Sequence, residues 1–160
     1  MNRAHIITVS VVGCLALSAL VSPEAQAQNT APPRPAVEAS FRVALIDASK
    51  AAKPFFDPKL ASMKGHLRPF TGKYNHLTLV SKKILALTAG KRGAVKIPGR
   101  GDFAITFLDI GAGKVRRVRY QVELPKPRTK MTRRVAPGGQ TLDVIPSSGK
   151  LTIVSTTVLR

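Results

Sequence analysis

Residues 102–124 read DFAITFLDIGAGKVRRVRYQVEL, and the alternation within them decides the fold class. Phe103, Ile105 and Phe107 recur at period two on the first arm, and Val118, Tyr120, Val122 and Leu124 do so on the second. On the second arm Arg117, Arg119, Gln121 and Glu123 take the opposite positions. Successive side chains of a strand point to opposite faces, so the segment reads as an antiparallel pair with one apolar and one charged face. Gly111-Ala112-Gly113 is predicted to close the pair as a three-residue loop.

The flanking sequence repeats the theme. Val37, Ala39, Phe41, Val43 and Leu45 alternate with polar residues as a half-buried strand. Further strands are predicted at 74–81, 83–88, 94–97, 130–135, 141–145 and 151–159, with 102–110 and 114–124 forming the hairpin. Between them stand Gly90-Lys91-Arg92-Gly93, Pro98-Gly99-Arg100-Gly101, Pro137-Gly138-Gly139 and Pro146-Ser147-Ser148-Gly149. Short strands punctuated by Gly and Pro clusters imply a mostly β or α+β fold, an antiparallel sandwich or open barrel. One N-terminal amphipathic helix is expected: Asp57 caps it, Pro58 suits its first turn, Leu60, Met63, Leu67 and Phe70 share a face, and Pro69 stops it near Arg68. A helical turn over Ala48 to Lys53 is a further expectation, interrupted by Pro54.

Three segments are expected along the chain. Arg3, the apolar run Ile6 to Val21 and Ala25-Gln26-Ala27 read as a secretory signal over 1–27, cleaved after Ala27. The 16 apolar residues fall short of the roughly 20 that span a bilayer, so the mature form is expected to lack an integral membrane span. Val11-Val12-Gly13-Cys14 has the side-chain sizes of a lipoprotein signal, but the apolar run continues through Leu15-Ala16-Leu17, which disfavours acylation at Cys14. Residues 28–36, QNTAPPRPA, read as a flexible proline-rich tether, and 37–160 as a single β-rich domain. A periplasmic or secreted destination follows.

Charge is the other signal: 26 Lys and Arg face 8 Asp and Glu among 160 residues. Nine of those cations and a single acid fall between Gly111 and Arg134. Lys114, Arg116, Arg117, Arg119, Lys126, Arg128, Lys130, Arg133 and Arg134 are the candidate polyanion-binding residues. On a strand Arg117 and Arg119 would project together about 7 Å apart, suited to a row of phosphates or sulfates. The expected ligands are acidic polysaccharide, lipopolysaccharide or nucleic acid such as extracellular DNA, held without sequence specificity. The alternative reading is a cell-envelope accessory or structural domain that binds another protein, its charge serving solubility.

Other chemistries are poorly supplied. With one Cys, and that inside the signal, neither a disulfide nor a cysteine-rich zinc site can form within the chain. No cofactor, metal or catalytic residue is expected, and the chain reads as non-enzymatic. A hydrolase using His66 or His76 lacks any local signature. Arg100-Gly101-Asp102 is a receptor-type tripeptide that a Gly-rich turn explains equally well.

Overall fold

The computed structural model describes residues 37–125 and 127–159; the signal and tether readings over 1–36, Cys14 included, and candidate Lys126 lie outside the described residues. Strands make up 62% of what is described, so the fold is mostly β: two sheets, one curled into a half-barrel, and a single short α-helix. The strands are β1 (Glu38–Ser49), β2 (Phe55–Phe56), β3 (His76–Thr88), β4 (Arg92–Ile97), β5 (Gly101–Ile110), β6 (Val118–Pro125), β7 (Arg128–Val135), β8 (Gln140–Ser147) and β9 (Lys150–Val158). Sheet A has the order β2-β3-β1-β9-β8 and sheet B the order β4-β5-β6-β7. Every pairing is antiparallel except that of the two-residue β2 with β3. No helix of the described residues is long and apolar enough to cross a membrane.

The apolar face of the 102–124 segment forms as its alternation requires. Phe103, Ile105, Phe107, Tyr120 and Val122 are fully buried, and they meet Phe41, Val43 and Leu45 of β1 in the core between the sheets. Phe41 packs edge-on against Tyr120, ring centroids 5.1 Å apart. The loop differs from expectation. β6 starts at Val118 rather than Lys114, so residues 111–117 form a seven-residue connection tied by Gly111 N–H to the Arg117 carbonyl (2.9 Å). The strand before it carries a bulge at Leu108: Phe107 pairs with Tyr120 but Asp109 with Arg119. Without the extra residue Asp109 would share the buried face of Phe107; with it the carboxylate turns outward to Arg119.

A second bulge organises sheet A. The strands expected at 74–81 and 83–88 are one strand, β3, whose register against β1 slips at Val80. Leu77, Leu79, Leu85 and Leu87 all occupy odd positions and would line one face of a regular strand. The slip divides them. Leu85 and Leu87 join the core between the sheets, whereas Leu77 and Leu79 join a second core with Ile46, Ala48, Leu151 and Ile153 on the far face of sheet A.

The helical segment covers that second core. Leu60 and Leu67 are fully buried there, with Met63 and Phe70 packed beside them. Its first half is a 3₁₀ segment (Pro58–Met63), with Leu60 N–H bonded to the Asp57 carbonyl three residues back, and α1 occupies only Lys64–Thr71. Pro69 lies inside α1 rather than ending it. In so short a helix its missing N–H forfeits one bond, to the Gly65 carbonyl, while buried Leu67 and the Thr71 hydroxyl on the Arg68 carbonyl (2.9 Å) hold the last turn. The helical turn expected over Ala48 to Lys53 does not form: Ala48 is fully buried in β1, paired with Leu77 and Leu151.

Two short turns carry the chain within sheet B, from β4 to β5, and from sheet B to sheet A, from β7 to β8. Ile97-Pro98-Gly99-Arg100 and Ala136-Pro137-Gly138-Gly139 close alike, with Gly99 and Gly138 at φ of +70° and +81° and bonds of 3.1 and 2.8 Å from the fourth residue to the first carbonyl. Polar ties add to these turns. Tyr120 Oη lies 3.1 Å from Thr141 Oγ1 across the core, and burial, with Asp143 adding to it, raises the phenol above its ordinary range. Arg133 donates to the buried Asp143 carboxylate at 2.7 Å, linking edge strand β7 of sheet B to edge strand β8 of sheet A.

Both buried carboxylates, Asp143 and Asp57, lend themselves to measurement. Removing one member of a buried pair strands the other charge, so Arg133→Met should cost about 3 kcal/mol in denaturant unfolding, and the double variant with Asp143→Leu should regain most of it; a double variant as unstable as the single one would show that the pair does not link the sheets. Asp57 accepts the N–H groups of Lys59 (2.9 Å) and Leu79 (3.1 Å), and these bonds hold its carboxyl below the ordinary 3.8. Its stabilisation is therefore present above that ordinary value and lost as the pH falls further. Below about pH 4 the melting temperature of the parent should drop more steeply than that of Asp57→Asn, measured by circular dichroism.

Candidate functional site

The outer face of sheet B is set by register. Arg119 pairs with Arg134, Gln121 with Thr132, Glu123 with Lys130, and Pro125 with Arg128, while β4 adds Arg92 and Lys96 on the far side of β5. Arg128 and Lys130 have side chains 83% and 59% exposed, which places them at the disposal of a ligand. Lys114, Arg116 and Arg117 sit in the exposed loop after β5. Arg117 and Arg119 therefore do not share a strand, and the 7 Å strand spacing does not apply to them.

Arg133 departs from the set. β7 alternates so that Thr129, Met131, Arg133 and Val135 turn toward the core and Arg128, Lys130, Thr132 and Arg134 turn outward. Arg133 commits its charge to Asp143, with its terminal nitrogen also 3.7 Å from the Met131 sulfur. The signal was present in the sequence, since Met131 and Val135 stand two residues either side of Arg133. Arg92 was missed; it lies on the same outer face and approaches Glu123 at 3.4 Å.

Two acids structure this surface. Glu123, 18% exposed, has Arg92 at 3.4 Å and Arg128 and Lys130 each at 3.7 Å. Its partial burial pushes the carboxyl upward, but Lys130, then Arg92 and Arg128, hold it on balance below the ordinary 4.5. Asp109 takes the Arg119 guanidinium. Beside that pair opens a cleft of about 400 Å³, lined by Asp109, Gly111, Ala112, Val115, Arg117, Arg119 and Arg134. Three guanidiniums face one carboxylate there, and Arg119 Nε is buried without a protein acceptor among the described residues. Like charges directly opposed across strands repel, so Arg119 against Arg134 creates a demand for a further anion.

The other sequence candidates are dispersed. His66 is exposed on α1, whereas His76 lies on β3 against the Phe55 ring, centroids 5.2 Å apart. Among the described residues no three His, Cys, Asp or Glu side chains are grouped to hold a metal ion. Arg100 of the receptor-type tripeptide donates to the Ile145 and Pro146 carbonyls at 2.8 and 3.0 Å, which makes it a tie between the sheets. No protein-family model, curated protein or solved structure matches the chain.

The three cations around Glu123 repel one another once it is neutral. Glu123→Gln should lower the melting temperature by a few degrees at low ionic strength and leave it near the parent in about 1 M salt, where the screening length is only ~3 Å. A deficit that persists in high salt would assign Glu123 a packing role instead.

Proposed function

We propose that the protein is an exported, non-enzymatic domain that associates with anionic polymers or surfaces through the outer face of sheet B. We read the two sheets as an antiparallel sandwich, with one wet face left free for this contact. The supporting observation is the cleft at the end of the 102–124 hairpin, where Arg119 and Arg134 stand opposite each other with Arg117 beside them and only Asp109 to offset three charges. Guanidinium forks match the paired oxygens of phosphate and sulfate, so the suited ligands are lipopolysaccharide, acidic polysaccharide and extracellular DNA.

Lys114, Arg116, Arg128 and Lys130 extend the contact along the loop and β7. Arg133, committed to Asp143, is left out of it. Exposed aromatics for stacking bases are scarce, because Phe41, Phe103, Phe107 and Tyr120 are all buried, so contact with nucleic acid runs through phosphates and is indifferent to sequence. The export signal over 1–27 belongs to this reading, as it delivers the domain to where such polymers lie.

Heparin chromatography and binding to a short DNA duplex test the proposal. Replacing Arg117, Arg119 and Arg134 together by Ala should move heparin elution to distinctly lower salt, and replacing Lys50 and Lys53 by Ala should not. For every phosphate that the variant no longer neutralises, the slope of log affinity against log salt should fall by about 0.9, hence roughly 2–3 for the triple variant. Elution of the parent at near-zero salt, or an equal decrease in both variants, would reject the reading.

A further inference from the structure

Beyond the helical segment sheet A turns its second face outward, and a cleft of about 200 Å³ opens there. Its floor consists of small side chains: Ala44 of β1 and Ser155 of β9 pair across the strands, 5% and 1% exposed. Lys82 of β3 pairs with Ala44 on its other side. Arg42 lies two residues along β1 on the same face, opposite Thr157, which is itself opposite Gln140. Lys59, on the 3₁₀ segment, completes the lining from above.

Three cations thus look into one cleft that has no carboxylate in its lining. None of the three takes part in the ion pairs found among the described residues. The Nε–H of Arg42 is buried and has no acceptor within the described protein. Buried donors are almost always satisfied, and Arg42 and Lys82, gathered with Lys59 in a lining that holds no carboxylate, raise the energy of the fold. A single oxyanion relieves both.

We propose that this cleft is a binding site for a phosphate or sulfate monoester. Arg42 offers Nε–H and a terminal N–H as a two-pronged donor to two oxygens of the group, while Lys59 and Lys82 balance its charge. Ser155 Oγ already accepts from Gln140 Nε2 at 2.7 Å, which leaves its own hydrogen to donate. Met63 and Leu79, both partly exposed, line the remainder, apolar surface for the organic part of a small ester. The volume is below the roughly 300 Å³ at which drug-sized ligands begin, so the site takes a head group. It lies on sheet A and is independent of the sheet B face.

Inorganic phosphate titrated into the full chain at constant ionic strength tests it, followed through the Arg42 Nε–H resonance, which is identified by its disappearance in Arg42→Lys. A saturable one-to-one shift is expected with phosphate and with sulfate, and none with acetate or chloride. By calorimetry, Arg42→Lys and Ala44→Leu, the latter filling the floor without changing charge, should each weaken phosphate binding by about tenfold or more. In the Arg117, Arg119 and Arg134 triple variant the Arg42 resonance should still shift with phosphate, since it reads the sheet A cleft alone. An Arg42 resonance indifferent to phosphate, or affinity abolished in the triple variant and kept in Arg42→Lys, would overturn the proposal; should Ala44→Leu fail to fold, the parent titration decides alone. Arg42-dependent sedimentation with phosphatidylcholine vesicles containing phosphatidic acid would identify a lipid as the source of the group, and binding of glycerol phosphate without vesicle capture a soluble ester.

Discussion

The two central strands of sheet A, β1 and β9, have to bury side chains on both faces, and the rest of the molecule is arranged around that requirement. From Phe41 to Ile46 the side chains of β1 go alternately to the core shared with sheet B and to the second face, where Ile46 enters the core under the helical segment and Arg42 and Ala44 line the cleft beside it, and of these only Arg42 stays partly accessible. A strand between two layers cannot show the clean apolar and polar alternation of a half-wet sheet. It must carry an apolar run, and Val43-Ala44-Leu45-Ile46 is such a run. Sheet B has one core face only, so β6 and β7 alternate strictly and their outer positions are free to carry charge. The cationic surface is in that sense a consequence of which sheet lies on the outside.

The same requirement accounts for the irregular features. β3 serves two cores with leucines of one parity, which a regular strand cannot do, and the extra residue at Val80 lets Leu77 and Leu79 face one way and Leu85 and Leu87 the other. Central placement obliges β9 to bury hydroxyls. Thr152 donates to Asp47 at 3.0 Å and Ser155 accepts from Gln140, so two of the three buried hydroxyl groups on that strand are engaged within the protein. On the other sheet, the bulge at Leu108 performs one exchange with two results: it keeps Asp109 out of the core and delivers it to Arg119.

Period-two alternation made the β5–β6 pair legible from residues 102–124 alone, and the Pro-Gly turns at 98–99 and 137–138 were legible because only glycine readily tolerates the conformation they require. What alternation cannot show is a change of phase. A bulge leaves the composition of a strand untouched and reverses the faces beyond it, so the division of β3 and the outward turn of Asp109 were hidden. The short pair Phe55–Phe56 is too brief to carry any period, and the partner of Phe55, His76, lies far along the chain beyond the helical segment. The charge cluster between Gly111 and Arg134 was visible as composition, yet its geometry depended on tertiary pairing: Asp143, which takes Arg133 out of the exposed set, belongs to a different sheet.

Acids placed among cations do more than reduce net charge. Asp109 fixes the guanidinium of Arg119, and Glu123 gathers Arg92, Arg128 and Lys130 about one point, so these side chains are partly ordered before any ligand arrives. Immobilising a long side chain on binding costs roughly 0.5–1.5 kcal/mol, and that cost is already met where a carboxylate holds the chain in place. Lys114 and Arg116 have no such anchor among the described ion pairs, and a ligand that ordered them would bear the whole cost. On the proposed reading, an anion meeting sheet B would therefore be held first along β6 and β7, where the cations are positioned, and the loop would contribute mainly through its long-range field. The cleft on sheet A would solve the same problem differently, since Arg42 is positioned by burial against its neighbouring strands instead of by a carboxylate, and so would keep its full charge for the proposed oxyanion.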